Sequence, residues 1–244
     1  MARTSNMEEK PKRVLLYGAS GSGKTTLAGT FPNPVFIDLD DGMESLSDKD
    51  VEYYTISDRE TTDPDAVEIL GPKLVKANGY LKTVEIIEHF LNTLGPSDTL
   101  VIDSLTIFSD YAMRHVLGLA GQKTPRIQDW GAGQGLVEGC VSAFRGSACN
   151  IIVIAHEEFT KDDESGIISW LPLTIGKLRT KLPLYFDEVY YCSAKKAKGK
   201  DASVPTIFSI ETSPTRRVTA KSRFKLVGNI EFPTYNNLYN KKEK

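Results

Sequence analysis

The sequence predicts an α/β protein: a mainly parallel sheet flanked by helices, with a C-terminal antiparallel β extension. Three observations carry that expectation. Apolar runs of four to six residues alternate with helix-period segments from Arg13 to Ala155. Each run closes on a glycine or a polar residue, and beyond Pro183 the helical pattern gives way to strands alone.

Taken in order, residues 13–17 (RVLLY) read as a strand running into a glycine loop, with a helix-compatible segment over 24–30. Residues 35–39 (VFIDL) close on the acidic turn Asp40, Asp41, Gly42, and 51–56 (VEYYTI) read as a third strand. Residues 65–77 read as a helix broken near Pro72, where the missing N–H and the ring clash interrupt the turn. Across 80–94, Leu81, Val84, Ile87, Leu91 and Leu94 recur at helical spacing, the stripe of a helix packed on a sheet. Residues 99–102 (TLVI) form a buried strand ending at Asp103, followed by a helix over about 105–117. The stretch 118–133 (GLAGQKTPRIQDWGAG) reads as a mobile polar loop. A helix over 134–144 leads to the strand 150–155 (NIIVIA), which ends at His156, and 157–172 read as a second long polar loop. A short helix over 174–181 stops before Pro183, and strands over 188–194 and 205–211 are joined by a lysine-rich turn.

At 244 residues, 40% hydrophobic and 25% charged, the chain has room for one sizeable core and no composition of extended disorder. The expected organisation is a single domain over 13–230, with tails over 1–12 and 231–244. The opening MARTSNMEEKPKR lacks an apolar targeting core, and the apolar stretch 151–155 is too short to span a bilayer. A cytoplasmic protein without a membrane partner is expected. Cys140, Cys149 and Cys192 form no CxxC pair and suggest neither a disulfide framework nor a zinc site. The net charge of −2 conceals an asymmetry: residues 1–176 carry 15 basic and 26 acidic side chains, whereas 177–244 carry 15 basic and 6 acidic. The basic end suits a polyanion or the acidic face of a neighbouring subunit.

The segment Gly18, Ala19, Ser20, Gly21, Ser22, Gly23, Lys24, Thr25 satisfies GxxxxGK[ST], between a strand and a helix as the phosphate-binding loop requires. Its glycines let successive N–H groups converge on phosphate oxygens, Lys24 reaches the β- and γ-phosphates, and Thr25 offers a hydroxyl to magnesium. Thr26 continues the nucleotide-binding run. The motif implies a nucleoside triphosphatase, with ATP and Mg2+ as the expected cofactors.

Asp103, delivered by an apolar strand, has the Walker B arrangement and is the second expected magnesium residue. Hydrolysis also needs a carboxylate that orients or deprotonates water. FIDLDDG offers Asp40 first and Asp41 second, with Glu44 available if the turn folds back and Asp38 a candidate for burial in the strand or turn. His156, ending the strand that follows Asp103, is placed to sense the γ-phosphate and signal to the next loop. Trp130 lies near Lys123 and Arg126, and Trp170 and Phe159 flank Lys161, combinations suited to stacking and phosphate attraction on single-stranded DNA. The acidic residues Glu157, Glu158, Asp162, Asp163 and Glu164 oppose that reading of the second loop. Lys221 and Arg223, two apart, project to one face if their segment is extended and would there reach a γ-phosphate of the next subunit.

Collectively GASGSGKT, FIDLDDG, VIDS, VIAHE, IGKLRTKLPLYFDEVYY and AKSRF resemble the phage-encoded single-domain RecA/RadA-like ATPases, including Sak-type single-strand annealing proteins. The resemblance implies a RecA-like core in which another strand separates the phosphate-loop strand from the Walker B strand; the strands at Val35 and Val51 are available for this. It implies single-stranded DNA as partner, with loops 118–133 and 157–176 as the DNA-binding loops, and a homo-oligomer whose Lys221 and Arg223 act in trans. A single-strand-binding protein is a further implied partner. Where the family usually has glutamate this chain has Asp40, and it has no FxxA-type polymerisation motif. The expected function is ATP-driven strand annealing or pairing in recombination or replication. A helicase loader or replisome adaptor, and then a small-molecule kinase, are the alternatives. A GTPase is disfavoured because Thr160-Lys-Asp-Asp163 lies beyond its strand and Asp103-Ser-Leu-Thr106 lacks the switch glycine.

Overall fold

The computed structural model describes residues 10–197 and 205–240. Its strands are β1 (Arg13–Gly18), β2 (Pro34–Asp38), β3 (Glu52–Thr55), β4 (Thr99–Asp103), β5 (Asn150–Ala155), β6 (Glu157–Lys161), β7 (Ile168–Pro172), β8 (Glu188–Lys196), β9 (Thr206–Glu211), β10 (Lys221–Ser222) and β11 (Asn229–Glu231). Nine of them form one sheet in the order β11-β9-β8-β1-β5-β4-β2-β3, with β10 pairing β8. From β8 to β3 all neighbours run parallel, and β9, β10 and β11 add antiparallel. The α/β sheet and its antiparallel extension are as the sequence predicts. A strand does separate β1 from β4, but it is β5; β2 and β3 lie beyond β4.

Alternation along β1 builds two cores. Leu15 and Tyr17 face one cluster, and Val14 and Leu16 the other. The first is covered by α2 (Pro64–Leu74), α3 (Gly79–Thr93), α4 (Leu105–Leu119) and α5 (Ile127–Ala143). The second is covered by α1 (Lys24–Ala28) and by α7 (Tyr235–Tyr239), with α6 (Leu178–Lys181) lying between β7 and β8 in sequence. Every residue of β4 and β5 is buried, which is why both read as unbroken apolar runs. α2 is interrupted at Gly71 (φ 68°, ψ 170°), one residue before Pro72.

Both predicted loops contain more structure than the sequence suggested. The loop 118–133 shrinks to residues 120–126, because α5 starts at Ile127 despite its glycines. Asp129 reaches back to accept from the Arg126 N–H at 2.7 Å, and Gly133 sits where a Cβ would come within 2.7 Å of Ile175 Cδ1. Close packing there outweighs poor helix propensity. Residues 157–172 form an antiparallel hairpin, β6–β7, whose tip turns at Gly166 (φ 66°). The C-terminal segment expected as a tail over 231–244 is packed through its described part: Leu238 is buried, and Tyr235 and Tyr239 meet Phe31 edge-on. Residues 1–9, 198–204 (most of the lysine-rich turn) and 241–244 lie outside the described residues. Among the described residues no helix is long and apolar enough to cross a membrane.

Candidate active site

The carboxyl ends of β1, β2, β4 and β5 bring together residues from five separate parts of the sequence. β1 ends at Gly18, extended at φ 157°, where a Cβ would fall 2.2 Å from the Cys192 carbonyl oxygen of β8. Only glycine fits between the strands at that point. Gly21 and Gly23 adopt the left-handed region (φ 72° and 84°), and the loop turns into α1 without a side-chain cap on its first N–H groups. Lys24, 6% exposed, donates to the carbonyls of Gly18 at 3.0 Å and Ala19 at 2.7 Å. Burial lowers its pKa, opposed by the nearby Cys192, Asp103, Asp40 and Glu157.

Thr25 Oγ1 donates to Asp103 Oδ2 at 2.6 Å, so the expected pair of magnesium residues is in direct contact. Asp103 is buried, and burial pushes its carboxyl up to about 6, aided by Asp40 and Asp38 and opposed by the Thr25 hydrogen bond and by Lys24. A hydroxyl and a carboxylate are the hard oxygen donors that suit Mg2+, which is held by one or two protein groups with phosphate and water rather than by a cage. Among the described residues no group of three or more His, Cys, Asp or Glu is arranged around a metal position. The residues present fit the ion.

Asp40 is the carboxylate drawn into the site. Ser104 Oγ donates to its Oδ1 at 2.8 Å, and His156 Nε2 pairs with its Oδ2 at 2.7 Å. Burial raises the Asp40 carboxyl, but those two hydrogen bonds, with the charges of His156 and Lys24, outweigh it and hold the group below the usual range. A carboxylate that ionised orients water better than it removes a proton. Asp38 instead organises the turn, accepting from the N–H groups of Asp40 and Gly42 at 3.2 Å each. Asp41 (φ 57°) and Glu44 are exposed and outside the network.

Sequence reasoning gave no site role to four residues, two at the strand ends and two beside the hairpin. Ser104 bridges Asp40 and also caps α4 by accepting from Ile107 N–H, at the end of a cis Asp103–Ser104 peptide. Glu157 takes a hydrogen bond from Tyr191 and leaves Oε2 buried without a partner, with its charge acting on Lys24. Arg216 and Arg217 run beside the hairpin, their carbonyls accepting from Ser169 Oγ and Trp170 N–H. Of these only Glu157 had a local signal, as the residue following His156 at a strand end.

Other predicted residues lie elsewhere. Trp130, 47% exposed, lines a cavity of about 460 Å3 with Thr106, Asp110, Leu173 and Arg179, adjoining the His156 strand end. Trp170 packs on the core while Phe159, edge-on to it, is 64% exposed. Lys221 and Arg223 sit at the opposite end of the sheet from Lys24 of the same chain. Lys221 pairs with Val189 in register and donates to the Pro183 carbonyl at 2.7 Å; Arg223 pairs with Asp187, which also takes Arg13.

A glycine loop leaving the central strand, a Lys-Thr-Asp cluster whose Lys24 and Asp103 are buried, and a parallel sheet with one strand between loop and carboxylate define a P-loop nucleoside triphosphatase. The chain belongs to the AAA domain family, whose model matches residues 10–224. With that family come nucleotide binding and ATP hydrolysis. No curated protein matches the sequence. A prototypical ATPase from the type III secretion system of pathogenic bacteria is distantly similar in structure, at 17% identity and a TM-score of 0.39. The similarity covers 75% of this chain and 52% of that one, so the chain spans about half its length.

Proposed function

We propose that this chain is a Mg2+-dependent ATPase that acts on single-stranded DNA in strand annealing or pairing, as an oligomer with ATP bound between subunits. The observation that carries it is the path from Asp40 through His156 into the hairpin. His156 pairs with Asp40 at 2.7 Å, and β6 begins at the next residue. Hydrolysis chemistry and an exposed surface element are thus directly linked. In this reading Lys24 and the 18–26 loop hold the triphosphate, Thr25 and Asp103 hold the ion, Asp40 orients water and His156 reports the γ-phosphate. Exposed Phe159 on the hairpin, with Lys161 and the neighbouring Arg216 and Arg217, supplies stacking and positive charge for a single strand. The arginine pair offsets part of the acidic charge that argued against that loop.

The test measures ATP turnover with and without single-stranded DNA, and annealing of complementary oligonucleotides, in wild type and Lys24→Ala. DNA-stimulated turnover and Lys24-dependent annealing are expected. Turnover indifferent to DNA sinks the reading and favours a nucleotide-gated loader or adaptor. For action in trans, Arg223→Ala subunits mixed with Asp103→Asn subunits regain part of the activity that each lacks alone; stable mixed oligomers without recovery exclude it.

A further inference from the structure

A second cavity, about 270 Å3, opens beside the phosphate loop on the α1 face of the sheet, and Ser22, Gly23 and Thr26 form its inner wall. Its other walls come from the far end of the chain: Phe208 on β9 and the strap Phe232, Pro233, Thr234. The strap lies beyond residue 224, where the family match stops. Two features mark it as a ligand site. Ser22 Oγ is buried without a hydrogen-bond partner. Phe208 and Phe232 are 36% and 54% exposed, apolar rings at the mouth of a pocket lined chiefly by apolar surface. The ring of Phe208 lies against the loop itself, since a Cβ on Gly23 would come within 2.9 Å of its Cδ1.

Apart from Ser22 Oγ, a hydroxyl that donates or accepts alike, the polar groups that the strap brings to this pocket are already engaged. Phe232 N–H donates to the Phe208 carbonyl at 2.7 Å, Pro233 has no N–H, Thr234 N–H donates to Asn237 Oδ1 at 2.8 Å, and Tyr235 N–H donates to Thr30 Oγ1 at 2.9 Å. Thr30 Oγ1 itself donates to the Leu27 carbonyl at 2.7 Å. Lys49 Nζ is turned to the carbonyls of Thr26 and Gly29. No lining residue is acidic, so the paired N–H donors of a guanine edge meet no carboxylate, and the strap offers no N–H to a ring nitrogen.

We infer that the base of the bound nucleotide stacks on Phe208 in this pocket, and that the pocket reads the surface of the ring and not its edge. Purine nucleotides are then preferred to pyrimidine nucleotides, with adenine and guanine little distinguished. The inference rests on the phosphate-loop reading above and adds the base subsite to it.

Equilibrium calorimetry with ATP, GTP, CTP, UTP and inorganic tripolyphosphate tests it in the full chain. ATP and GTP are expected within about threefold of each other, and CTP and UTP about tenfold weaker, the scale of a stacking difference. Phe208→Ala weakens ATP about tenfold and narrows the purine preference, while Phe208→Tyr retains both. Tripolyphosphate binds wild type and Phe208→Ala alike, which also reports that the variant is folded. Undiminished ATP affinity in a Phe208→Ala protein that binds tripolyphosphate overturns the inference, as does a preference of more than about thirtyfold between ATP and GTP. Lys24→Ala separates the two levels. If it abolishes binding while Phe208→Ala changes nothing, only the base pocket fails; if Lys24→Ala binds ATP and tripolyphosphate as wild type does, the phosphate-loop reading fails.

Discussion

At the carboxyl ends of β2, β4 and β5, Asp40, Asp103 and Glu157 surround a buried lysine and leave groups over: an orphan Glu157 oxygen, an orphan Ser22 hydroxyl, and an Asp103 pushed up to about 6. At the amino end of β8, Glu188 is just as buried, yet it accepts from the N–H groups of Arg223 and Phe224 and from the Tyr190 hydroxyl. Tyr190 also meets the Tyr239 hydroxyl at 2.8 Å, and Lys12 Nζ lies 5.0 to 5.7 Å from the rings of Phe224, Tyr235 and Tyr239. Both ends bury charge. Only the first keeps unmet capacity, and unmet capacity in a buried site is what a ligand can use. The second end fastens α7 to the sheet.

The contrast can be broken by substitution. Lys24→Ala should lower ATP turnover by about 1,000-fold with little change in unfolding midpoint, because a donor aimed at developing charge is lost from a site that does not hold the fold together. Asp40→Asn should cost about 100-fold in kcat with nucleotide affinity retained, measured by single-turnover kinetics. At the other end Glu188→Gln should do the reverse: about 2–3 kcal/mol less stability in urea, with turnover per folded molecule unchanged. Loss of turnover in Glu188→Gln, or of stability in Lys24→Ala, would erase the distinction.

Asp103 sharpens it through pH. Its carboxyl titrates higher in the folded chain than in the unfolded one, so the folded state binds more protons between about 4 and 6 and stability falls as pH rises through that window. Asp103→Asn should therefore raise stability at pH 7 by on the order of 2 kcal/mol while abolishing Mg2+-dependent turnover. In wild type, Mg2+ binding to the cation-free chain should weaken as pH drops through about 6, where this carboxyl takes up a proton, as calorimetric titration with Mg2+ would read. The smallest effect is expected from Tyr239→Phe, about 1 kcal/mol from one hydrogen bond and no change in turnover.

The strands were legible because β1, β4 and β5 are buried on both faces and therefore read as apolar runs, and the residues that end them came with the runs. The glycine loop was legible because its chemistry is contiguous in sequence. What remained hidden depends on contacts distant in sequence. Residues 157–172 look like a loop because the exposed turn carries Asp162, Asp163 and Glu164 and the strands are only half-buried; those strands are fixed by each other and by the bridge between Trp170 and Val218. α5 is hidden by Gly131, Gly133, Gly135 and Gly139, of which Gly133 is needed for packing on Ile175. Phe208 belongs to no motif, and Ser104 stands in VIDS only as the residue after Asp103. Each becomes a site residue only when a partner from more than 60 positions away arrives, Asp40 in one case and Gly23 in the other.

The hairpin is stapled at its root. His156 N–H donates to Thr106 Oγ1, Thr106 Oγ1 donates to the Leu173 carbonyl, and Leu173 N–H donates back to the His156 carbonyl. Thr106 therefore acts as a fulcrum. The His156 side chain is the short arm, and two five-residue strands, roughly 17 Å at about 3.4 Å per residue, are the long one. Were the hairpin to tilt by about 5° at that pivot, the tip near Gly166 would move by roughly 1.5 Å, several times the displacement at the short arm.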